Sequence, residues 1–320
     1  MTNVTTVMEF LLLGFSEVRD LQLVHAALFL LLYLMALMGN LLIIAITTLD
    51  RRLHAPMYFF LRNLSILDLC LITVTVPKSI HNSLTNDRSI SFLGCVLQVF
   101  LALSSIFTEL VILTVMSYDR YVAICHPLHY EVIMNRGACV KMATASWLSG
   151  GLSAVLHTAS TFSLSFCGSN VVGQFFCDIP QLLTISCSPD LFREVVPICV
   201  NVAFDFCCFV GIIMSYIHIM ATVLRIPATE GRTKAFSTCL PHLVVITLFL
   251  SMGFFAYLKT PSDSPSVMDL VVSVFYTAVP PVLNPLIYSL RNRDMKVTVG
   301  KFLKGKFCTR EKSLHISHLA

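Results

Sequence analysis

Long apolar runs separated by short polar segments recur along the whole chain. The hydrocarbon core of a bilayer is about 30 Å thick and requires about 20 apolar residues per helix. The runs that reach this length are His25–Thr48, Met57–Val76, Leu97–Ile124, Val140–Ser160, Val195–Leu224, Phe236–Leu258 and Leu270–Tyr288. They are too long and too uniformly apolar for β-barrel strands, which span about ten residues and alternate in polarity. The pattern therefore predicts an all-α membrane protein, a bundle of seven transmembrane helices.

Composition supports a lipid environment, and the distribution of charge predicts the orientation. Of the 320 residues, 56% are hydrophobic and 12% are charged, against roughly 25% charged in soluble domains. Most lysines and arginines lie on one side of the predicted helices, as in cytoplasmic loops. The basic residues on the other side are Arg19, Lys78, Arg88, Arg193 and Lys259. The N-terminus is thus predicted outside and the C-terminus inside. On the inner side, the basic residues meet anionic membrane lipid. The net charge of +4 therefore reflects membrane topology and does not indicate nucleic acid as a partner.

The apolar runs divide the chain into an extracellular N-terminus (1–23), a seven-transmembrane domain (24–290) and a cytoplasmic tail (291–320). A basic, amphipathic stretch in the tail predicts a short inner helix after the seventh span, and Cys308 behind it is a candidate for palmitoylation. Asn3, in "NVT", is a glycosylation sequon on the outer side. The sequence has no internal repeat, which disfavours an inverted-repeat transporter.

Four cysteines lie on the predicted outer side: Cys95 at the start of span three, and Cys167, Cys177 and Cys187 in the long outer connection. An oxidising compartment favours disulfides, so these four predict two bridges. Four cysteines allow three pairings, and the spacing alone does not choose among them.

Ionisable side chains inside apolar runs are costly and mark candidate functional positions. Asp68 and Glu109 lie near mid-membrane, Asp205 lies in span five, and Asn40 adds an uncharged polar group in span one. Two carboxylates at this depth need a proton, a cation or a polar cluster. A sodium or proton site and a neutral packing cluster are therefore the two alternatives for Asp68 and Glu109.

Two motifs at the inner ends of spans are candidate switches. Asp119 can brace the guanidinium of Arg120, which can also extend towards water, so the pair is either a latch that holds one state or an interfacial anchor. In span seven, Pro285 removes a backbone hydrogen bond and kinks the helix. Asn284 can cover a freed carbonyl, and Tyr288 can then swing near the inner end, although a static kink is the alternative.

Six motifs together resemble the tetrapod olfactory receptors, within the rhodopsin-like G-protein-coupled receptors. They are "GN" at Gly39–Asn40, "LHAPMYFFLRNLSILD" at Leu53–Asp68, "MSYDRYVAICHPLHY" at Met116–Tyr130, "SY" at Ser215–Tyr216, "KAFSTCLPHL" at Lys234–Leu243 and "PPVLNPLIYSLRN" at Pro280–Asn292. The resemblance covers nearly the whole chain. The long strings in span three and span six are specific to olfactory receptors, whereas "DRY" or "NPxxY" alone would indicate only the broader class.

The resemblance implies roles for the switch motifs. Arg120 of the "DRY" motif, with Asp119 and Tyr121, would be released on activation and would help to open the cleft for the G protein. Tyr216 and Tyr288 would rearrange beside it, the latter with Asn284 and Pro285. The mid-membrane carboxylates Asp68 and Glu109, with Asn40, would form the ion or proton site.

The resemblance also implies how the outer side is built. Cys95 would pair with Cys177, and Cys167 with Cys187, which would hold the outer loop over a ligand pocket. Helical spacing from the motifs gives the candidate pocket residues Leu103, Ile106, Phe107, His157, Val200, Phe204, Asp205, Gly253, Phe254, Tyr257 and Thr277. For each apolar member, simple packing is the alternative. The set is mostly apolar, which suits a small hydrophobic ligand held by shape and one or two hydrogen bonds.

Three residues depart from the family pattern, of which Ser117, where an Ala usually follows Met116, is a mild change. Pro241 stands where a Ser usually precedes the span-six His, and Leu250 stands where many members carry a Tyr. The proline could bend the part of span six that moves, and the leucine puts the ligand trigger of this chain in doubt.

The expected function is that of an odorant receptor that activates a stimulatory, olfactory-type heterotrimeric G protein and raises cyclic AMP. The alternatives are an ion-coupled transporter or channel that uses the intramembrane carboxylates, and a chemoreceptor of the same fold acting outside the nose. No enzyme motif is present in the sequence. Apart from sodium near Asp68 and Glu109, no cofactor is expected. The partners expected are a volatile odorant, the G protein, membrane lipid and trafficking chaperones. The expected location is the plasma membrane of olfactory sensory neuron cilia.

Overall fold

The computed structural model describes residues 8–14, 18–85, 87–166, 170–186, 191–225, 229–258, 267–291 and 293–303, in places as backbone alone. Most of these residues form long helices: α1 (Arg19–Leu49), α2 (Pro56–Thr85), α3 (Phe92–Cys125), α4 (Arg136–Phe162), α5 (Leu191–Arg225), α6 (Thr229–Leu258) and α7 (Val267–Arg291). A shorter helix, α8 (Arg293–Leu303), follows α7. The connections contain short helices at Tyr130–Ile133 and Ile179–Thr184 and single 3-10 turns at Arg51–Leu53 and Pro127–His129.

Each predicted span lies within one long helix, so the prediction of a seven-helix bundle with a short helix after it is confirmed. The helices extend beyond the apolar runs, most clearly in α2, which continues nine residues past Val76 to Thr85. The apolar run marks the part of a helix that lipid surrounds, whereas the helix itself continues as long as its backbone stays hydrogen-bonded. The predicted domain boundaries at 24 and 290 stay predictions.

Helix α4 differs from the other long helices in composition. Within the described residues, six helical stretches are long and apolar enough to cross a membrane: Arg19–Leu49, Pro56–Thr85, Phe92–Cys125, Val195–Arg225, Gly231–Ser251 and Val271–Ser289. Helix α4 is as long as a span but is rich in Gly, Ala, Ser and Thr. It packs closely along α3, and small residues permit such close approach between membrane helices.

The largest cluster of buried apolar side chains lies between the helices, and it includes Ile46, Leu64, Leu113, Met116 and Tyr216. Other large apolar side chains of the same helices point outwards, including Leu31, Met38, Leu148, Phe206 and Phe275. Helices that are apolar towards both the core and the surroundings are those of a membrane bundle.

A small sheet covers one end of the bundle, which the predicted orientation makes the outer end. Strand β1 (Glu9–Leu12) lies between β2 (Ser89–Ser91), with which it is antiparallel, and β3 (Val171–Val172), with which it is parallel. Phe10 and Leu12 of β1 are buried against the start of α3. Sequence analysis predicts helices alone and misses this sheet, because strands of two to four residues are too short to show a period of two.

Candidate functional site

A disulfide between Cys95 and Cys177 fastens the outer connection to the start of α3, with the Cα atoms 5.6 Å apart. This is the pairing that the resemblance implies. Gln98, one turn further along α3, accepts from the backbone N–H of Cys177 at 2.8 Å and donates to the carbonyl of Val74 at 2.9 Å. The outer connection is thus held both covalently and by hydrogen bonds. Cys167 and Cys187, the other expected pair, and Asn3 lie outside the described residues.

The same connection is also bonded to α7, which sequence analysis does not predict. The hydroxyl of Tyr276 donates to Asp178 at 2.7 Å, and the hydroxyl of Ser273 donates to the side-chain oxygen of Gln174 at 2.7 Å. Burial raises the pKa of the Asp178 carboxyl to about 6, and the hydrogen bond from Tyr276 opposes this rise. The connection therefore joins α3 to α7 across the outer end of the bundle.

Several candidate pocket residues line the interior of the outer half. Phe107 of α3 and His157 of α4 are both buried and stack with ring centroids 5.6 Å apart. Thr277 of α7 is buried and donates to the carbonyl of Ser273 at 2.6 Å. Leu103 is partly buried and packs against the apolar cluster beneath the sheet.

The pocket candidates on α5 differ in burial. Val200 is 51% exposed and faces away from the bundle, so its assignment to the pocket is wrong. Its neighbour Asn201 is 3% exposed, because one residue turns a helix by about 100° and moves a side chain from the outer to the inner face. Phe204 and Asp205 are partly buried. Oδ1 of Asp205 is buried and has no hydrogen-bond partner among the described residues.

The remaining pocket candidates lie on α3 and α6. Ile106 is partly buried. Gly253, Phe254 and Tyr257 lie on α6, and their side chains are outside the described residues. Leu250, which departs from the family pattern, is partly buried against the central apolar cluster.

Asp68, Glu109 and Asn284 meet in the middle of the bundle and are 0%, 1% and 3% exposed. The amide nitrogen of Asn284 lies 3.1 and 3.2 Å from the two oxygens of Asp68 and 3.2 Å from Oε1 of Glu109. One amide carries two hydrogens, so it cannot satisfy three acceptors. Two carboxylates in an apolar interior that share a single neutral donor fit one added positive charge, either a proton or a monovalent cation.

Asn40 of α1 lies against the proline-containing part of α7 and makes no hydrogen bond to these carboxylates. Its amide donates to the carbonyl of Pro281 at 2.8 Å and to that of Ala36 in its own helix at 3.0 Å. Helix α7 contains Pro280, Pro281 and Pro285, and each proline leaves a carbonyl without its usual helical partner. Asn40 therefore stabilises a carbonyl of the proline-containing part of α7. Its only connection to the carboxylate cluster among the described residues is α7, which also carries Asn284.

Asp119 and Arg120 form an ion pair at the inner end of α3, with Nε of Arg120 3.1 Å from Oδ2 of Asp119. Their side chains are 1% and 12% exposed respectively. The other carboxylate oxygen, Oδ1, accepts from the hydroxyl of Tyr130 at 2.7 Å. Tyr130 begins the short helix after α3, so this loop fixes the acid that in turn holds the arginine. Sequence analysis quotes Tyr130 within a motif but assigns it no role.

The three tyrosines of the switch motifs differ in their hydrogen bonds. The hydroxyl of Tyr216 on α5 lies 2.6 Å from Nδ1 of His242 on α6, and both residues are buried. Tyr288 is also buried, and its hydroxyl has no hydrogen-bond partner among the described residues. The hydroxyl of Tyr121 lies 3.0 Å from Nε2 of His126 in the inner loop, and Tyr121 packs against the central apolar cluster.

His242 is a residue of the site that sequence analysis does not identify. It follows Pro241 in α6, and the bond from its ring to Tyr216 connects α6 to α5 at the level of the ion pair. The "PHL" string contained the signal, since a buried histidine requires a hydrogen-bond partner. The partner itself is 26 residues earlier in the chain and on another helix, so spacing could not identify it.

The family model described as "Olfactory receptor" matches residues 29–306. Olfactory receptor 14A16 of Homo sapiens is 65% identical, and the match covers 96% of this chain and 99% of that protein. Olfactory receptor 14J1 of Homo sapiens is 56% identical, covering 95% and 94%. Olfactory receptor 1G1 of Gorilla gorilla gorilla is 45% identical, covering 94% and 96%.

Among solved structures, squid rhodopsin superposes with a TM-score of 0.72, covering 90% of this chain and 86% of that one. The two chains are 17% identical, so this likeness concerns the fold alone.

Proposed function

The chain belongs to the olfactory receptor family of rhodopsin-like G-protein-coupled receptors, and from this premise we propose how its site converts odorant binding into a signal. It is an odorant receptor, and coupling to a G protein follows from its family. The finer proposal is that the ligand is a small hydrophobic volatile molecule and that the G protein is of the stimulatory, olfactory type, which raises cyclic AMP. The observation that carries the mechanism is the buried ion pair of Asp119 and Arg120, with Tyr130 on the second carboxylate oxygen.

The ion pair is proposed to hold the inner end of the bundle closed. Asp119 is almost fully buried, and its two oxygens are bonded to Arg120 and Tyr130. A buried acid and base that hold each other in this way are stable only as a pair, since removal of one partner leaves an uncompensated charge. Release of Arg120 therefore requires a new environment for both groups, which an open cleft filled by a segment of the G protein would supply.

Opening is proposed to involve α6, which carries His242. This residue bonds to Tyr216 in the described state, and Tyr288 of α7 is buried without a partner for its hydroxyl. Movement of α6 would break the bond between Tyr216 and His242 and leave two tyrosine hydroxyls able to stabilise the released Arg120. Ligand need only bind the open state better than the closed one to shift this equilibrium.

The carboxylates Asp68 and Glu109 are proposed to connect the outer pocket to this inner end. They share the amide of Asn284, which lies one residue before Pro285 in α7. A sodium ion or a proton at this position would supply the positive charge that the two acids lack. Because α2, α3 and α7 each contribute one side chain, a shift of α7 changes the contacts of this charge.

The proposed pocket lies in the outer half, beneath the sheet and the connection fastened by Cys95 and Cys177. Its described members include the stacked pair Phe107 and His157, as well as Thr277. Apolar walls with few polar groups suit a small odorant. The chain is a multi-pass membrane protein, and we place it in the plasma membrane of olfactory sensory neuron cilia, with trafficking chaperones as partners.

The proposal is tested by cyclic-AMP output from cells that carry this chain, a stimulatory olfactory-type G protein and a trafficking chaperone. A panel of volatile odorants is applied to wild type, to Arg120→Ala and to Arg225→Gln, a control for loss of an inner charge outside the site. We expect a ligand response in wild type and in the control, and a loss of at least about tenfold in Arg120→Ala at equal surface expression, equivalent to about 1.4 kcal/mol. A full response in Arg120→Ala would overturn the role given to the ion pair.

A further inference from the structure

A groove at the inner end of the bundle lies outside the signalling site just described. It has a volume of about 430 Å³ and is bordered by the end of α1, the turn that follows it, the first two turns of α2 and the start of α4. This volume is within the range of small-molecule sites in proteins. Its polar residues include Arg62 and Arg136, with His54 beside them, and its apolar wall includes Phe59 and Val140.

Positive charge dominates the groove. The structure describes all the residues that line it, and none of these is acidic. Neither Arg62 nor Arg136 forms an ion pair with a described carboxylate. The guanidinium of Arg62 lies 5.5 Å from the ring centroid of Phe59 and is only partly exposed. Two cations therefore face a common space without a protein anion to balance them.

The depth of Arg62 is informative. It is the seventh residue of α2, about 9 Å along the helix from Pro56, and the apolar run of this span begins at Met57. The next residue, Asn63, accepts from the indole of Trp147 inside the bundle. Arginine so far into a span is costly unless an anion or water meets it.

The groove also opens towards lipid. Val140 is 46% exposed on the side of α4 that faces away from the bundle, whereas Leu53, Met134 and Cys139 are buried and form the floor of the groove. An apolar floor, a cationic rim and a side that faces the bilayer fit a molecule with a negative head and a hydrocarbon tail. A soluble anion would make no use of the apolar part, and a sterol would make no use of two arginines.

We propose that this groove binds the headgroup of an anionic glycerophospholipid of the inner leaflet. The lipid phosphate lies between Arg62 and Arg136, and the acyl chains extend along the apolar surface between α2 and α4. The inner leaflet is the source of such lipids. The site binds one lipid in a fixed place, in contrast to the diffuse attraction between basic loops and the membrane surface.

Native mass spectrometry of the purified full-length chain tests this proposal. The receptor is exchanged into micelles with equal amounts of phosphatidylserine and phosphatidylcholine of the same acyl composition, and the retained lipid is counted. We expect wild type to retain phosphatidylserine preferentially. Each basic residue near the membrane surface contributes about 1 kcal/mol to lipid binding. Each single Arg→Gln substitution should therefore lower phosphatidylserine retention about fivefold, and the double variant Arg62→Gln with Arg136→Gln should lower it about 25-fold.

Two control variants decide the outcome. Arg225→Gln removes an exposed basic residue at the end of α5 that does not line the groove, and it should retain lipid as wild type does. Arg62→Lys keeps the charge and should also retain it, which separates loss of the site from loss of the fold. Equal retention by the double variant and by Arg225→Gln would overturn the proposal.

Competition identifies the occupant. Glycerophosphoserine, which has the headgroup but no chains, should not displace the lipid at equal concentration. Displacement by it would mean that the apolar floor plays no part. Cholesterol should not displace the lipid either, and displacement that is independent of Arg62 and Arg136 would assign the groove to a sterol. Either result would contradict an anionic phospholipid.

Discussion

Tyr130 is the side chain that adds most to the switch at the scale of single residues. Its hydroxyl occupies one oxygen of Asp119 while Arg120 occupies the other. The carboxylate is thus held from two directions, by its own helix and by the loop that follows. If Asp119 maintains the closed state, then Tyr130 contributes to that state without contacting Arg120.

Replacement of Tyr130 by phenylalanine should therefore raise signalling in the absence of ligand. A hydrogen bond made only in the closed state contributes about 1 kcal/mol, and its loss shifts the equilibrium towards the open state about fivefold. Basal cyclic AMP at matched surface expression measures the effect. Tyr118→Phe is the control, because Tyr118 is 41% exposed and loses the same hydroxyl. Equal basal output in the two variants would contradict the role of Tyr130.

The pair Asp119–Arg120 could be found from the sequence, whereas the hydrogen-bond partners of Tyr130 and His242 could not. A charged pair in an apolar run is visible without a structure, because the cost of charge in lipid makes it conspicuous. Tyr130 comes after the end of α3, where the chain changes direction. Which side chain of the loop contacts Asp119 depends on the geometry of that loop. Helical periodicity gives no information about this geometry.

Asp178 should make stability depend on pH. Burial raises its folded-state pKa to about 6 from 3.8, so the folded chain binds a proton that the unfolded chain has released between these values. Stability from this group is therefore fully present below about pH 4 and is lost as pH rises through about 6.

The thermal stability of purified Asp178→Asn relative to wild type measures this effect. The amide oxygen can still accept from Tyr276, but it does not ionise. The variant should gain on wild type by about 2–3 kcal/mol between pH 4 and pH 7, since the two pKa values differ by about two units and one unit corresponds to about 1.4 kcal/mol. A difference that stays constant across this range would show that Asp178 does not titrate as described.

At the scale of elements, the contact between α3 and α4 depends on Gly150. A Cβ built there would overlap Oγ1 of Thr108 and lie 2.7 Å from its backbone nitrogen. The helices thus touch almost backbone to backbone. The many small residues that lower the apolar character of α4 are the same feature that lets it approach α3.

Gly150→Ala should destabilise the bundle by about 1–3 kcal/mol, as is typical of overpacked sites. Gly151→Ala is the matched control, since a Cβ there meets nothing within 4 Å, and alanine favours helix by up to about 1 kcal/mol. Melting temperature in detergent and surface expression should both fall for the first variant and stay unchanged or rise for the second. Equal behaviour of the two would mean that α3 and α4 do not approach so closely.

The disulfide and the sheet at the outer end could not be predicted from the periodicity of apolar residues. Four outer cysteines indicate bridges but allow three pairings, and the fold brings Cys95 to Cys177. The partner strands of β1 lie about 80 and about 160 residues further along the chain. Such contacts depend on how the helices are arranged at their ends. The sequence indicates only that a polar connection crosslinked by disulfides lies at the outer end of the bundle.

At the scale of the whole molecule, the number of spans and the mid-membrane cluster follow directly from the sequence. Lipid requires each span to be long and apolar, which makes the runs visible. The same requirement makes Asp68 and Glu109 stand out, and Asn284 joins them in the structure. The face of a helix is harder to predict, as Val200 shows, because an error of one residue reverses inside and outside.

The central claim is that ligand binding in the outer half releases Arg120 at the inner end and so promotes nucleotide exchange on a G protein. The most direct measurement reconstitutes the purified full-length chain in lipid discs with a purified stimulatory heterotrimer. Uptake of a fluorescent, non-hydrolysable GTP analogue is followed with and without an activating odorant. Wild type, Arg120→Ala and Arg225→Gln are compared at equal receptor concentration, and ion flux is recorded in vesicles of the same preparations.

Odorant should accelerate exchange with wild type and with Arg225→Gln. In Arg120→Ala this acceleration should be at least about tenfold smaller, although the variant still binds the odorant. No odorant-dependent ion flux is expected. Acceleration that survives in Arg120→Ala would contradict the role of the ion pair, and flux without exchange would contradict the receptor mechanism in favour of an ion-coupled transporter or channel.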